Sequence, residues 1–304
     1  MADLIEKIQT LKKQRNAIIL AHNYQPGEIQ DLADFTGDSL ELSRKAADCD
    51  AEVIVFCGVL FMAETASILS PEKTILLPDI EAGCPMADMI TADQLAELKA
   101  KHPDAVVVCY VNSPAEVKAL TDYCCTSSNA IAVVNAIDKG KQIIFAPDKN
   151  LGAFVKERTG RDIILWPGYC PTHVVSTQEE VRSVQQAHPD AITLAHPECC
   201  PEVRACADEL LSTGQMLSYA RQSDATEFII ATEKGIIHTL KKQNPGKNFY
   251  PAAERFVCPN MKKISIEKVL FALEDNKYVI KVAEDIAEKA SLALDRMISI
   301  LPKG

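Results

Sequence analysis

The segment Tyr169-Cys170-Pro171-Thr172-His173 lies near the middle of the chain and contains the second of three evenly spaced Cys-Pro steps. Cys84-Pro85 lies 86 residues before Cys170, and Cys258-Pro259 lies 88 residues after it. A fourth step, Cys200-Pro201, does not fit this spacing. The spacing predicts that one structural unit of about 87 residues occurs three times in the chain.

Unrelated features repeat with the same offset. The segment Lys101-His102-Pro103-Asp104-Ala105 precedes an apolar run at residues 106–109, and Ala187-His188-Pro189-Asp190-Ala191 precedes another at 192–195. Polar residues follow these two runs and a third at 17–21, namely His22-Asn23-Tyr24, Tyr110-Val111-Asn112 and His196-Pro197-Glu198. A hydroxyl side chain comes 17 residues after the first polar residue of each copy, at Ser39, Ser127 and Thr213. Each copy is therefore predicted to supply one cysteine, one polar strand end and one hydroxyl.

Short apolar runs alternate with helical patterns along the chain. Continuous apolar runs of strand length are typical of parallel strands that are covered on both faces. Such alternation predicts an α/β protein built from αβα three-layer units, in which ligands bind at the carboxyl ends of the strands. We expect three similar αβα domains with short parallel sheets, in a pseudo-threefold arrangement around a central active site. The predicted boundaries are 1–87, 88–173 and 174–262, followed by C-terminal helices at 263–304 that pack on the repeats.

Several local predictions are specific enough to be tested by a structure. We expect one helix at 31–49, a strand at 130–134 and a helix at 203–211. The apolar runs before the first two Cys-Pro steps predict strands, whereas the corresponding segment at 248–251 contains Pro251 and is expected to form a poor strand.

Composition excludes some classes of function. The chain has 304 residues, 47% of them hydrophobic, and a formal net charge of −10 without a basic block, which argues against nucleic-acid binding. The sequence has no apolar run of 18 residues, and its N-terminus alternates charges like a helix. Eleven cysteines without a secretion signal are expected to be reduced thiols. We therefore expect a soluble, cytoplasmic protein that binds neither nucleic acid nor membrane.

The three periodic cysteines, Cys84, Cys170 and Cys258, would bring three sulfurs to the central site. Structural zinc needs four ligands, usually including a Cys-x2-Cys pair, and three thiolates are an unusual set for catalytic zinc. A 4Fe-4S cluster on three cysteines leaves one iron open as a Lewis acid. We hypothesise a non-redox iron-sulfur site of the lyase type. Three buried structural cysteines are the alternative, and Cys124-Cys125 and Cys199-Cys200 are alternative ligands.

The sequence resembles the quinolinate synthase family over essentially its whole length. The matching stretches are Ala21-His22-Asn23-Tyr24-Gln25, Gly37-Asp38-Ser39, Tyr110-Val111-Asn112, Thr126-Ser127-Ser128, His196-Pro197-Glu198-Cys199 and Cys258-Pro259-Asn260-Met261-Lys262. The resemblance implies a 4Fe-4S cluster on Cys84, Cys170 and Cys258. It also implies that iminoaspartate and dihydroxyacetone phosphate condense to quinolinate, phosphate and two waters in NAD biosynthesis. A functional link to an aspartate oxidase or dehydrogenase, which would make iminoaspartate, is implied as well.

The residue types suit this implied reaction, because proton transfers and dehydrations need a general acid and a general base. Tyr24 and Glu198 are the candidates: a phenol that shuttles a proton, and a carboxylate whose pKa burial would raise. Tyr110 and His196 complete the predicted catalytic residues. The predicted substrate-binding residues are His22, Ser39, Tyr110, Asn112, Ser127, His173, His196, Glu198 and Thr213.

One departure from the family pattern concerns regulation. Some members carry a Cys-x2-Cys pair just before the third cluster cysteine, where this chain has Ala252 and Arg255. Thiol-disulfide control through such a pair is therefore expected to be absent. Two other functions remain open on the sequence alone: another 4Fe-4S hydro-lyase, and a non-catalytic iron-sulfur sensor or electron carrier.

Overall fold

The structure is a computed structural model that describes residues 2–301, so Met1 and residues 302–304 of the predicted first and last units lie outside the described residues. Its helices are α1 Ala2–Gln14, α2 Gly27–Leu32, α3 Ser39–Asp48, α4 Leu60–Leu69, α5 Ala92–Lys101, α6 Ala115–Lys118, α7 Ala130–Ala136, α8 Lys149–Thr159, α9 Gln178–Ala187, α10 Pro201–Arg204, α11 Thr213–Gln222, α12 Ile236–Gln243, α13 Ile266–Asp275 and α14 Glu284–Ser299. Its strands are β1 Ala17–His22, β2 Phe35–Gly37, β3 Val53–Cys57, β4 Thr74–Leu76, β5 Val106–Tyr110, β6 Tyr123–Cys125, β7 Ile143–Ala146, β8 Ile163–Leu165, β9 Ile192–Ala195, β10 Glu209–Leu210, β11 Glu227–Ala231, β12 Asn248–Pro251 and β13 Val279–Ile280.

The strands form three sheets with the same internal order. The first sheet runs β2-β1-β3-β4 with β13 added at its edge, the second β6-β5-β7-β8, and the third β10-β9-β11-β12. Every pair within them is parallel except β13, which is antiparallel to β4. We call each sheet with its helices a module. The predicted α/β fold class, with three αβα units, is confirmed, whereas the boundaries between the units stay a prediction.

A carboxylate at the same place in each module joins the first two strands. In each module the residue is an aspartate that directly precedes the edge strand β2, β6 or β10. Its Oδ2 accepts a hydrogen bond of 2.7–2.8 Å from a backbone N–H of the neighbouring strand, 15 residues earlier in the chain. The three pairs are Asp34 with Ile19, Asp122 with Val107, and Asp208 with Thr193. Their offsets of 88 and then 86 residues are those that separate His22, Tyr110 and His196. The repeat in the sequence is therefore a repeat of backbone structure.

Four local predictions are wrong, and short elements explain most of them. The expected helix at 31–49 is divided by β2, and the expected helix at 203–211 gives way to β10. These strands have three and two residues, too few for a periodic signal. The segment 130–134 is helical, because a short apolar run does not distinguish a buried helix from a strand. Residues 248–251 pair with β11 over four positions, and Pro251 sits in the edge strand, where proline is tolerated.

The C-terminal part returns to the first two modules. Helix α13 packs against α1, and α14 packs against α4 and α6. The largest apolar core joins these helices to the first two sheets and part of the third. Within residues 2–301, no helix combines the length and apolar character needed to cross a membrane.

Candidate active site

One central cavity receives side chains from all three modules. It contains about 660 Å³ of space that no atom of the chain fills, including space that is open to solvent. The structure brings every sequence-predicted site residue to its wall, namely His22, Tyr24, Ser39, Cys84, Tyr110, Asn112, Ser127, Cys170, His173, His196, Glu198, Thr213 and Cys258. The strand ends deliver two imidazoles, two phenols and the carboxylate, because β1, β5 and β9 all stop at this cavity, whereas His173 comes from the segment that follows β8.

Glu198 is the buried charge at the centre of the site. Its Oε2 lies 2.6 Å from Nδ1 of His173 and 3.7 Å from Nδ1 of His196. Burial opposes ionisation of the carboxyl, but His173 and His196 outweigh burial and lower the pKa of Glu198 to about 2. The prediction that burial raises this pKa is therefore wrong, because the sequence did not show two histidines against the carboxylate. Glu198 is ionised at neutral pH and accepts hydrogen bonds or protons.

The other polar strand ends remain uncharged. Burial lowers the pKa values of His22 and His196 to about 3, although the charge of Glu198 acts in the opposite direction. Burial raises the pKa values of Tyr24 and Tyr110 well above the ordinary range of a phenol. At neutral pH, His22, His196, Tyr24 and Tyr110 are therefore uncharged around the carboxylate of Glu198.

The depressed histidine pKa values predict loss of stability in acid. The unfolded chain binds protons at His22 and His196 near pH 6.5, whereas the folded chain does so only near pH 3. Their contribution to the free energy of unfolding is therefore complete above pH 6.5 and declines below it. Between pH 7 and pH 5, we expect the free energy of unfolding to fall by about 2 kcal/mol for each histidine. Urea unfolding of metal-free protein measures this. The variant His22→Gln should lose about 2 kcal/mol less over the same interval, and an unchanged pH dependence would contradict the assignment.

Two long helices point their N-termini at the cavity. Ser39 is the first residue of α3, and Thr213 is the first residue of α11. The side chains that cap these helices belong to the preceding residues, Asp38 and Ser212, so the hydroxyls of Ser39 and Thr213 are not consumed by capping. Helix N-termini with adjacent hydroxyls favour anionic groups such as phosphate or carboxylate.

Two acceptors at the cavity wall lack donors. Oδ1 of Asn112 and Oε1 of Glu198 are buried and accept no hydrogen bond of ordinary length from the residues within 2–301, although Tyr110 lies near enough to the Glu198 carboxylate to lower its pKa. Buried polar atoms are nearly always paired in folded proteins, so an unpaired acceptor facing a cavity indicates a donor on a ligand. The arrangement suits a small molecule that carries both anionic groups and N–H or O–H groups.

The cysteines provide a donor set that fits an iron-sulfur cluster. Each module contributes one thiol to the cavity, and in each Cys-Pro turn backbone N–H groups two or three residues after the cysteine act on its sulfur and lower its pKa. Burial is the larger effect and raises all three pKa values, that of Cys84 to about 12. A positively charged metal would offset the unfavourable effect of burial on the three thiolates. Backbone N–H groups directed at sulfur are a feature of iron-sulfur sites.

A second group of possible metal ligands shares Cys170 with the three cysteines. One donor atom each from Cys170, His173 and Glu198 lie within 4.8 Å of one another. Two ligands of one tetrahedral metal with bonds of 2.0–2.2 Å would be about 3.3 Å apart. The 2.6 Å between His173 and Glu198 is instead a hydrogen bond. His173 and Glu198 are therefore paired with each other and not spaced as two ligands of one tetrahedral metal.

Three buried side chains brace the polar strand ends against neighbouring modules. Gln30, Lys118 and Arg204 occupy the same position in α2, α6 and α10, with offsets of 88 and 86 residues. Each donates to a backbone carbonyl of its own polar segment: Gln30 to Asn23 and Gln25, Lys118 to Ser113, and Arg204 to Pro197.

The same three side chains also reach another module. Gln30 donates to the carbonyl of Gly235 in the third module, at 2.9 Å. Lys118 places Nζ 5.6 Å from the ring centre of Phe61 in the first, and Arg204 donates to the carbonyl of Asn150 in the second, at 2.6 Å. The strand ends that form the cavity are therefore fixed by contacts that run around all three modules.

Sequence reasoning missed residues that act behind the cavity wall. Asp148 accepts a hydrogen bond from the backbone N–H of Cys170 at 3.0 Å, and Glu233 accepts one from that of Cys258 at 3.3 Å. Each carboxylate comes two residues after its strand, β7 or β11, and this shared offset was the available signal. The alternative ligands are not at the cavity: Cys124 and Cys125 are buried in β6, and neither Cys199 nor Cys200 lines it.

Comparisons with known proteins agree on one family. Residues 6–299 match the family model described as quinolinate synthetase A protein. The chain is 57% identical over 295 residues to a quinolinate synthase of Dehalococcoides mccartyi (strain CBDB1), covering 97% of each chain. It is 54% identical to quinolinate synthase 2 of Methanosarcina acetivorans, covering 98% of this chain and 96% of the relative. It is also 54% identical to a quinolinate synthase of Thermodesulfovibrio yellowstonii, covering 98% of each.

Proposed function

The chain belongs to the quinolinate synthetase A protein family, and we propose that its central cavity condenses iminoaspartate with dihydroxyacetone phosphate to quinolinate for NAD biosynthesis. The reaction releases phosphate and two waters. The observation that carries the proposal is the pair of unpaired buried acceptors, on Asn112 and Glu198, beside two helix N-termini. Both substrates are anions that also carry N–H or O–H groups, so they supply what these positions require.

Enzymes of this family use a 4Fe-4S cluster, and its proposed ligands are Cys84, Cys170 and Cys258. When bound, the cluster supplies an open iron that acts as a Lewis acid for hydroxyl or carboxylate oxygens. Asp148 and Glu233 support two of these ligands, since each holds the backbone N–H of a cysteine. The proposed role of the Cys-Pro turns is to fix the direction of each sulfur.

Binding of the two anions falls to the hydroxyls and neutral imidazoles. Ser39 and Thr213 lie at the N-termini of α3 and α11, and Ser127 Oγ lies 3.1 Å from Nε2 of His196. These groups donate to carboxylate and phosphate oxygens without adding a full positive charge, so they hold phosphate without preventing its departure. His22 and Asn112 orient the substrate from the strand ends.

The proton transfers fall to Glu198 and Tyr24. Glu198 is ionised and lies 2.6 Å from His173, so it accepts a proton or stabilises positive charge that develops on a neighbouring group. Tyr24 and Tyr110 are neutral phenols that can each donate one hydrogen bond and accept others. His196 orients Glu198 through a 3.3 Å contact between its Nδ1 and the backbone N–H of Glu198.

The test is product formation by anaerobically prepared protein. Protein loaded with iron and sulfide is incubated with dihydroxyacetone phosphate and with iminoaspartate generated in the assay from oxaloacetate and ammonia, and quinolinate is measured by chromatography. We expect quinolinate only when both substrates and the cluster are present. A loaded cluster without quinolinate would overturn the proposal and favour another hydro-lyase or a sensor. We also propose that an aspartate oxidase or dehydrogenase supplies iminoaspartate to this enzyme, in place of the oxaloacetate and ammonia of the assay.

A further inference from the structure

A chain of three side chains joins the modules beside the cavity. Ser128, in the turn after β6, donates a hydrogen bond to Oδ2 of Asp38 in the first module, and its Oγ lies 2.9 Å from Oγ of Ser212 in the third. Each member of the chain is the sequence neighbour of a hydroxyl residue on the cavity wall: Asp38 precedes Ser39, Ser128 follows Ser127, and Ser212 precedes Thr213. The chain therefore passes beside all three hydroxyls that the anionic substrates are proposed to meet.

The directions of these hydrogen bonds follow from the chemistry of the groups. A carboxylate oxygen only accepts, so the single proton of the Ser128 hydroxyl goes to Asp38. The Ser128 oxygen then accepts the proton of Ser212, whose own oxygen accepts the backbone N–H of Gln215 in α11. Oδ1 of Asp38 accepts two backbone N–H groups at the start of α3, at 2.9 and 3.0 Å. Among residues 2–301, Ser128 is the only hydrogen-bond donor to Oδ2 of Asp38.

The threefold repeat does not require a hydroxyl at position 128. The equivalent residues, at offsets of 88 and 86, are Leu40 and Gly214. A Cβ at Gly214 would lie 2.8 Å from Oδ2 of Asp38, so a side chain there would displace the carboxylate. Two copies of this position therefore act on the same oxygen: Ser128 donates to it, and Gly214 leaves space for it. This departure from the repeat indicates a role that concerns Asp38.

Asp38 brings a carboxylate to a place where negative charge is unfavourable. It lines the cavity and caps α3, the helix whose N-terminus favours an anionic group of the substrate. Like charges repel strongly where little water separates them. An Oδ2 without a donor would also accept hydrogen bonds from the cavity hydroxyls and so compete with the substrate for them. The donors of α3 and Ser128 prevent this, because they occupy both oxygens of the carboxylate.

We propose that Ser128 is a positioning residue for anion binding, which holds the Asp38 carboxylate away from the substrate and leaves Ser39, Ser127 and Thr213 free to donate. The inference rests on the proposed binding of anionic substrates by these three hydroxyls. Ser128 does not line the cavity, so it acts through Asp38.

The experiment measures the kinetics of cluster-loaded Ser128→Ala with dihydroxyacetone phosphate and iminoaspartate varied separately. We expect at least one KM to rise about tenfold while kcat changes less than about threefold, because a lost hydrogen bond to a charged group weakens anion binding. The substrate whose KM rises shows whether a phosphate or a carboxylate meets the hydroxyls. Ser291→Ala is the matched control, because Ser291 donates within α14 and does not line the cavity, and we expect unchanged kinetics. Iron content and thermal unfolding establish that each variant is folded and loaded.

The variant Asp38→Asn decides whether Ser128 acts through the carboxylate, because asparagine caps a helix as well as aspartate does but carries no charge. We expect Ser128→Ala combined with Asp38→Asn to have a KM within about threefold of that of Asp38→Asn alone. Gly214→Ala, which displaces the same oxygen, should raise the same KM, and it replaces Ser128→Ala if that variant does not fold.

Two outcomes would overturn the inference and leave the proposed function standing: an unchanged KM in Ser128→Ala, or a rise in KM that Asp38→Asn does not relieve. The proposed function fails separately, if the loaded wild-type protein forms no quinolinate.

Discussion

Replacing Cys170 by alanine is expected to remove the bound iron and sulfide and to lower quinolinate formation more than about a thousandfold. The cavity wall holds one cysteine from each module, and the variant leaves only Cys84 and Cys258. Two sulfurs from different modules cannot enclose a cluster that three sulfurs hold. Iron and sulfide analysis after anaerobic purification measures the loss directly, and the product assay measures its consequence.

Cys200→Ala is the matched control, because Cys200-Pro201 is the step that does not fit the repeat. Cys200 directly precedes α10 without a capping side-chain hydrogen bond, and its Sγ lies 3.9 Å from the carbonyl oxygen of Ser176, outside the cavity wall. We expect this variant to retain iron, sulfide and activity. Normal iron content in Cys170→Ala, or loss of iron in Cys200→Ala, would show that the proposed ligand set is wrong.

Replacing Glu198 by glutamine is expected to lower kcat by about a thousandfold while the cluster is retained. Glutamine keeps the size of the side chain but cannot hold a full negative charge, so the 2.6 Å hydrogen bond with His173 Nδ1 is no longer made to a carboxylate. Binding of quinolinate, measured by calorimetry, should change much less than kcat, because the hydroxyls and imidazoles that meet the anionic groups remain.

Glu202→Gln is the control for this charge change. Glu202 lies four residues further along the chain, is exposed in α10 and does not reach the cavity. We expect it to leave kcat and KM unchanged. A Glu198→Gln variant within about threefold of wild type would remove the carboxylate from the proton transfers, although the cysteine assignment would be unaffected.

Periodicity predicted the site better than it predicted the local structure. The residues predicted from their register, such as Tyr110, Ser127 and Thr213, all line one cavity, because equal positions in the three modules face the same space. A prediction from register needs only the residue type at a fixed offset in each copy of the repeat. The strands β2 and β10 were missed because two or three residues are too few to establish a hydrophobic period.

Contacts between modules were the part that the sequence could not predict. The pKa of Glu198 depends on His173, a residue of another module, and the burial argument therefore predicted the wrong direction. The hydrogen bond between Thr232 and Tyr24 could not be predicted for the same reason, since the two residues lie 208 positions apart in the chain. A periodic pattern indicates which residues are equivalent. It does not indicate which of them meet across an interface.

The braces formed by Gln30, Lys118 and Arg204 follow a cyclic order: the first module holds the third, the second holds the first, and the third holds the second. Such a head-to-tail ring has no free end, and a solitary module could complete the same contacts only by assembling as a homotrimer. Fusing three units into one polypeptide secures that closure at any protein concentration. It also frees each position to diverge, as the change from glutamine to lysine to arginine illustrates.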